Sequence, residues 1–409
     1  MRRWERRLKD LALSLEAAGS NYFEPEIFRL NANQFLTTSR TVSFLFQKDK
    51  ASIADFGNWH ANNIVAPWKD DEIMKWSIAS RNTIEKEGDL DLNSSADVTL
   101  IVGYLENQDI PLRLDKNTCL SASIKRLIRF ARAKLPTGVS DSAVIKIERT
   151  WVANTLPDCE LLQAFRYIYC RMYEACKSLA NHLGTALESS IPHPTSFDDI
   201  HTGSRCVHYV KLNSAGVGKV VSRRIKRNNN FVAPEWMSEL RQRRIDCPPD
   251  SLESLVKAQA EMAEATFLEH GNHIAMLWLF NEKFEVIDFI STAPSDQADK
   301  YIFWRSISER IHYLRAKYLV WTAEAWIRTG FDQQMFKATR NLPIAGEMLQ
   351  VVGIDGEGSS SDITWMIERE TPDAKPTLKL KDESSGKPEV YANYLAPARH
   401  ALERVKGSS

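Results

Sequence analysis

Apolar residues recur at helical spacing throughout the N-terminal region. The predicted helices cover residues 2–18, 25–50, a short segment around Trp68, and 74–90. Pro25 occupies the first position of the second helix, where its missing N–H and fixed φ are tolerated. Four helices in this order predict a compact bundle over residues 1–95.

Strand-like and helix-like patterns alternate in the middle of the chain. A β-branched run predicts a strand at 98–105, and alternating residues predict another at 206–212. Between them lie a predicted helix that stops before Pro136 and a longer one over 158–184, with Asp158 as its N-cap. Residues 96–247 are therefore expected to form a mixed helical and β region.

The C-terminal pattern predicts an α+β domain over residues 248–370. A helix from Ser251 to Thr266 is followed by two apolar runs separated by the loop 281–283, which predicts a hairpin. The remaining predicted elements are a helix at 296–317 and strands at 318–321, 348–352 and 363–367. This order predicts a mostly antiparallel sheet, and the polar residues 371–409 are expected to form a tail with one terminal helix. The fold class expected for the whole chain is α+β.

The amino-acid composition is that of a globular protein and does not indicate a particular function. The 409 residues carry 53 basic and 53 acidic side chains, so the chain has no overall field that attracts nucleic acid or membrane. Apolar content of 43% is ordinary for a globular chain, and no apolar run reaches transmembrane length. We expect a cytoplasmic protein of two to three domains that does not contact membrane.

The cysteines and histidines do not predict a cofactor or metal. The six cysteines form no CxxC pair, and Cys170 and Cys176, on one predicted helix, are expected to be small buried hydrophobes. His270 and His273, with Asp288 or Glu324, offer metal-ligand chemistry, but Gly271 breaks the helix between the two histidines. We expect no metal and no cofactor.

Glu324 lies among apolar residues near the end of a predicted strand. Two interpretations stay open for this carboxyl group. It either has a raised pKa in a functional site or, as we favour, accepts a hydrogen bond from a nearby backbone N–H.

The segment from Met74 to Leu90 is the strongest candidate for chemistry. Its apolar stripe predicts a helix that ends at Gly88, and the helix carries Arg81, Asn82 and Lys86. An arginine followed directly by asparagine, with a titratable residue after four residues counted from the arginine, resembles the HEPN superfamily of helical domains. That resemblance covers residues 1–95. It implies a metal-independent ribonuclease whose site is assembled across a dimer.

The matching residues also resemble a group of uncharacterised bacterial proteins. These positions are Phe28, Arg29, Asn31, Arg40, Val42, Phe44, Trp59, Arg81, Asn82, Ile84, Lys86, Gly88, Asp89 and Leu90. This grouping implies no activity. The HEPN resemblance implies a role in bacterial defence or as a toxin, with Arg81 as phosphate cation, Asn82 as orienter and Lys86 as acid or clamp. The family's histidine is Lys86 here, and lysine is mostly protonated at neutral pH and so a poor base.

A second candidate for nucleic-acid contact is a basic cluster between residues 219 and 244. Its cations are Lys219, Arg223, Arg224, Lys226, Arg227, Arg241, Arg243 and Arg244, against two glutamates. Phosphate contacts are the simplest use of such a cluster, and a solvated loop is the alternative. The nearby Gly216-Val-Gly-Lys219-Val220 lacks the first glycine and the final Ser or Thr of a phosphate loop, so we reject that motif.

Two functions from different classes therefore remain. One is a protein that binds or cleaves RNA or another nucleic acid, with a homodimer formed by the N-terminal bundle. The other is a non-enzymatic dimeric interaction or sensor protein whose bundle carries a degenerate site. An RNA-cleavage assay with and without chelator separates them, since a HEPN-type site needs no metal.

Overall fold

The computed structural model describes residues 1–114, 121–212, 217–218, 232–329, 342–369, 375–381 and 393–407. It divides the chain into two compact units. Unit 1 comprises residues 1–102 and 109–219, and unit 2 comprises residues 103–108 and 220–409. The described part is α+β with antiparallel sheets, which confirms the predicted fold class. The predicted boundaries after residues 95, 247 and 370 remain predictions.

Unit 1 combines helices with a small sheet. Its helices are α1 (Arg3–Ser20), α2 (Pro25–Lys48), α3 (Phe56–His60), α4 (Ala66–Trp68), α5 (Glu72–Glu87), α6 (Ile124–Ala133), α7 (Leu161–His182) and α8 (Asp198–His201). Its strands are β1 (Leu92–Ile101), β2 (Ile110–Pro111), β3 (Val144–Ala153), β4 (Val207–Lys211) and β5 (Val217–Gly218). Single turns of 3₁₀ helix lie at Lys50–Ser52 and Pro194–Phe197, and a π-helical turn at Ala61–Val65 joins α3 to α4.

One hydrophobic core joins the helices of unit 1 to its sheet. The strands pair antiparallel in the order β2-β1-β3-β4-β5. Phe28 of α2 stacks on Trp151 of β3 at 4.9 Å between ring centroids, and Phe35 stacks on Phe165 of α7 at 4.5 Å. Helix α2 is thus buried on one side by both the sheet and α7. The N-terminal helices do not stand apart as a separate bundle.

The central strand β3 was not anticipated from the sequence. It pairs with β1 over ten residues, from Leu92 opposite Ala153 to Ile101 opposite Val144. Arg149 interrupts its apolar alternation, yet this side chain is only 1% exposed. Its guanidinium donates to the carbonyl oxygens of Phe23 at 3.2 Å and Ala122 at 2.6 Å. A charged residue facing the core concealed the strand pattern.

Unit 2 is a sheet with helices on both faces. Its helices are α9 (Glu235–Asp246), α10 (Leu252–His270), α11 (Gln297–Leu314) and α12 (Ala396–Gly407), with 3₁₀ turns at Glu106–Gln108 and Asn393–Leu395. Its strands are β6 (Met276–Phe280), β7 (Val286–Ser291), β8 (Tyr318–Arg328), β9 (Ile344–Asp355), β10 (Ser360–Glu368) and β11 (Thr377–Leu380). They pair antiparallel, as the pattern predicted, and their order in the sheet is β11-β10-β9-β8-β6-β7.

Apolar side chains of the unit 2 strands point alternately to the two faces of the sheet and form a hydrophobic core on each face. Leu277, Leu319 and Ile354 pack with α11 and α12, whereas Phe280 and Val351 pack with α10 on the opposite face. Because neighbouring residues of a strand point to opposite faces, one set of strands buries both helical layers.

Some predicted boundaries are wrong. Helix α7 is capped by Glu160, whose carboxylate accepts the backbone N–H of Gln163 at 2.9 Å, and not by Asp158. The hairpin between β6 and β7 has a five-residue connection, 281–285, in place of three. Phe284 adopts φ +58° there, which stops the second strand from starting at this residue.

Candidate nucleic-acid interface

Helix α5 carries the three residues that the sequence singled out. Asp71 caps its start by accepting the backbone N–H of Met74 at 3.0 Å. Gly88 ends it with φ +97° and donates its N–H to the carbonyl oxygen of Ile84 at 2.9 Å. Both ends arise from local sequence chemistry, and the stop at Gly88 was correctly predicted.

Arg81, Asn82 and Lys86 do not converge on one point. The guanidinium of Arg81 forms an ion pair with Glu85 at 2.5 Å and donates to the amide oxygen of Asn82 at 3.2 Å. Lys86 is exposed in the last turn. Five residues of helix separate Lys86 from Arg81, which is about 140° around the axis. One phosphate-sized group on this helix cannot contact both cations.

Arg81 instead shares a shallow pocket with residues of α2. The pocket has a volume of about 260 Å³ and is lined by Arg40, Thr41, Phe44 and Arg81. Arg40 donates to the hydroxyl of Ser43 at 3.1 Å, and Phe44 is 54% exposed. Arg40 and Phe44 belong to the sequence pattern of the resemblance, but they were not among the predicted site residues.

The predicted basic cluster is only partly within the described residues. Lys219, Arg223, Arg224, Lys226 and Arg227 lie outside them. The last three, Arg241, Arg243 and Arg244, lie on α9. Arg243 pairs with Glu261 of α10 at 3.2 Å, and burial lowers the pKa of Arg244. Arg241 is exposed, and no described acidic residue forms an ion pair with it.

Helix α6 presents a basic face that the sequence interpretation missed. Residues 122–140 contain no acidic residue, and their cations are Lys125, Arg126, Arg129, Arg132 and Lys134. All five are exposed. The apolar spacing of Leu127 and Ala131 had identified the helix, but the lack of acidic residues in the segment 122–140 was the signal that was not used. In a chain of zero net charge, this segment carries +5.

Buried contacts hold α6 in place. Leu127 and Ala131 are fully buried in the core of unit 1. The carbonyl oxygen of Ala122, just before the helix, accepts from the buried guanidinium of Arg149. Arg126 also lies over the ring of Phe130, at 5.5 Å from its centroid. The basic face is therefore displayed by a helix whose opposite side is fixed in the protein interior.

The carboxylate of Glu324 in β8 accepts the backbone N–H of His273, so a backbone partner is present, but it lies 51 residues away in sequence and is not local. Burial raises the pKa of Glu324 and lowers the pKa of His273. Asp288, the other acid considered as a ligand, pairs with Arg310 at 2.5 Å. Among the residues with a described position, no group of three potential ligands could hold a metal ion. No helix in the described ranges is long and apolar enough to cross a membrane.

Fold and surface together define a two-unit α+β protein with a fixed basic helix on its first unit. The chain matches the family model described as bacteriophage lambda protein ea47 over residues 1–405, so it belongs to that family. Protein ea47 of Escherichia phage lambda is 42% identical over 384 residues, covering 93% of each chain. No solved structure matches the chain.

This family membership overturns the resemblance to HEPN domains and to an uncharacterised bacterial group. The ea47 match extends over both units, whereas the resemblance rested on short patterns within residues 1–95. Arginine, asparagine and lysine at such spacing also occur on ordinary solvated helix faces, where exposed ion pairs like Arg81–Glu85 are common. The resemblance that implied a nuclease or a defence role therefore no longer supports either role.

Proposed function

We propose that this protein binds nucleic acid through the basic face of α6. The observation that carries the proposal is the set of exposed cations on this helix without an acidic residue between positions 122 and 140. Phosphate contacts by lysine and arginine supply most of the affinity of non-specific nucleic-acid binding. Arginine also grips a phosphate with two donors at once.

The spacing of the cations suits a linear array of phosphates. Lys125, Arg129 and Arg132 are separated by four and three residues, so they follow one side of the helix over about 10 Å. Arg126 lies beside this line and contacts Phe130. A rigid helix loses little freedom when it binds, since its backbone is already ordered.

An anionic membrane surface is the competing partner for a basic helix. A helix that lies in a membrane needs an apolar face that can enter the lipid. In α6 the apolar residues Leu127 and Ala131 are fully buried in the core of unit 1. The exposed side is dominated by cations, and its aromatic residue, Phe130, is half-buried beneath Arg126, which favours nucleic acid.

The experiment measures binding of fluorescent single-stranded RNA, single-stranded DNA and duplex DNA by anisotropy over a range of salt concentrations. The triple variant Lys125→Ala, Arg126→Ala, Arg129→Ala removes three cations without touching the buried residues. For duplex DNA we expect at least about a tenfold loss of affinity and a salt dependence weaker by about 3 in slope, since each phosphate contact contributes about 0.9.

A matched control removes three exposed lysines elsewhere in unit 1, as Lys50→Ala, Lys69→Ala and Lys75→Ala. This variant has the same change in net charge, so equal losses in both variants would show a non-specific charge effect and contradict the proposal. The proposal also fails if the intact protein binds none of the three probes. Binding to anionic vesicles but not to nucleic acid would reassign the basic face to a membrane surface.

Cleavage is a separate question from binding. Arg81 is neutralised by Glu85, and Lys86 lies on another side of α5, so the described geometry favours binding without hydrolysis. Incubation of the same RNA probe with the protein, with and without chelator, tests this directly. Chelator-insensitive cleavage that Arg81→Ala abolishes would restore a catalytic role for α5.

A further inference from the structure

One side of α2 is solvent-exposed and almost free of charge. A seam of residues runs along it at alternating steps of three and four, and consists of Ile27, Leu30, Gln34, Thr37, Thr41 and Phe44. Ile27, Leu30 and Phe44 are 47%, 57% and 54% exposed. The seam is about 26 Å long. Exposed helix faces normally carry charged residues, so this one has the character of a contact surface.

The spacing of the seam is that of a coiled coil. Steps of three and four average 3.5 residues, which keeps a stripe facing a straight partner helix along its length. In the described part of unit 1, the buried side of α2 packs on α1, α5 and α7, and Arg81 of α5 reaches the seam beside Thr41 and Phe44. The seam therefore has the periodicity needed to pair with a further helix.

The charges at the ends of the seam identify the partner. Glu26 lies at its N-terminal end and Lys48 at its C-terminal end, both exposed. Thr37 is midway between them in sequence. If two copies of α2 run antiparallel about Thr37, Glu26 of each copy faces Lys48 of the other. Leu30 then faces Phe44, and the amide of Gln34 faces the guanidinium of Arg40.

We propose that the seam of α2 is the interface between two copies of this chain, paired antiparallel with Thr37 on the twofold axis. A twofold interface must be self-complementary, and this register places Glu26 against Lys48 and Leu30 against Phe44. The other seam residues face polar side chains, with Ile27 opposite Gln47 and Thr41 opposite Asn33. The pocket lined by Arg40, Thr41, Phe44 and Arg81 lies at the seam beside Phe44. The N-terminal half of the second copy's α2 covers it.

This arrangement separates the two copies of Arg81. Phe44, which lines the same pocket as Arg81, is seven residues from Thr37, so the two pockets lie about 20 Å apart along the helix axes. The two Arg81 side chains do not meet in one composite site. The dimer differs in this respect from the one expected from the sequence resemblance.

The oligomeric state of the full chain tests the interface. Sedimentation equilibrium across the micromolar range is expected to give twice the 46.6 kDa mass of the chain. The double variant Leu30→Glu, Phe44→Glu is expected to be monomeric, since it buries four like charges in the seam. Leu13→Glu is the control, because Leu13 is an equally exposed leucine on α1, 61% exposed. Circular dichroism verifies that each variant is folded.

Charge exchange tests the proposed register. Glu26→Lys alone and Lys48→Glu alone each place like charges together and are expected to weaken the dimer. The double variant Glu26→Lys, Lys48→Glu restores opposite charges and is expected to recover the wild-type dissociation constant. If Glu26 and Lys48 do not face each other, the double variant is expected to dimerise more weakly than either single variant, which would contradict the proposed register.

Cysteine crosslinking tests the twofold axis. Thr37→Cys places two thiols on opposite sides of the axis, and mild oxidation is expected to join the chains by a disulfide. Gln47→Cys on the same helix is the control, since its two copies lie about 30 Å apart in this register. A monomeric wild type, a dimer that survives Leu30→Glu, Phe44→Glu, or equal crosslinking at both positions would overturn the proposal.

Discussion

Buried polar side chains tie together parts of unit 1 that are distant in sequence. Tyr22 donates to the carboxylate of Glu160 and to the carbonyl oxygen of Arg149, both at 2.9 Å. Burial is the main cause of the raised pKa of Tyr22 and of the raised pKa of Glu160. Because these groups satisfy one another in the interior, they specify how α7 and β3 meet the turn before α2.

Glu324 provides a prediction about pH. Burial raises the pKa of its carboxyl above the ordinary value of 4.5, with Arg369 opposing the shift and Glu347 adding to it. Between 4.5 and the raised pKa, the folded chain binds more protons than the unfolded chain, so this group makes stability fall as pH rises. Glu324→Gln keeps an oxygen that can accept the His273 N–H but does not ionise.

We therefore expect Glu324→Gln to gain stability relative to the wild type as the pH rises from 4.5 toward neutrality. Urea unfolding of both proteins across this range measures the difference, and the titration of all other groups cancels in the comparison. Glu285→Gln, at an exposed loop residue, is the control for the loss of one carboxyl group. A difference that stays constant with pH would contradict the expectation.

Helix ends show how far local chemistry defines the elements. Asp71 and Gly88 limit α5, and Asp296 caps α11 by accepting the backbone N–H of Asp299 at 2.8 Å. Each of these ends follows from residues within one turn of it. The position of α6 depends in addition on Arg149, which is distant in sequence.

Gly88→Ala is expected to destabilise unit 1 by about 1 kcal/mol, because φ +97° is unfavourable for a residue with a Cβ. No atom lies within 4 Å of the added Cβ, so backbone strain is the main cost. Gly57→Ala is the matched control, since Gly57 is helical and its added Cβ is equally free of contacts. It should be neutral or slightly stabilising. Thermal or urea unfolding compares the two, and equal effects would refute the assignment of strain.

At the scale of the whole molecule, one short segment packs with the unit that comes later in the sequence. Residues 103–108 follow β1 of unit 1 in the chain but belong to unit 2. Tyr104 packs edge-on against Tyr301 at 4.9 Å, and Glu106 pairs with Arg305 at 3.5 Å. The chain therefore crosses between the two units three times.

Each unit has its own core, so we expect two calorimetric transitions. Phe165→Ala removes a fully buried ring from unit 1, and Phe280→Ala does the same in unit 2. Each change should destabilise its own unit by about 3–5 kcal/mol and lower one transition more than the other. A single transition that both variants shift equally would show that the two cores unfold together.

The family assignment was wrong at the sequence level for a physical reason. Arg81, Asn82 and Lys86 were chosen by spacing along the chain, and the helix turns Arg81 and Lys86 to different sides. The basic face of α6 was not predicted, because the apolar spacing of Leu127 and Ala131 is enough to predict the helix and says nothing about its cations. The two proposed contact surfaces are the basic face of α6 and the seam of α2. Each depends on which side of its helix is buried.

Local sequence chemistry was sufficient for the α+β class, most long helices, several helix ends and the antiparallel sheet of unit 2, because periodicity and capping act over a few residues. Strand β3, the inclusion of residues 103–108 in unit 2, and the exposed sides of α2 and α6 required the folded chain. These features depend on contacts between residues more than twenty positions apart, as between Arg149 and Phe23 or Ala122. Such contacts determine which side chains are buried and which remain available to a partner.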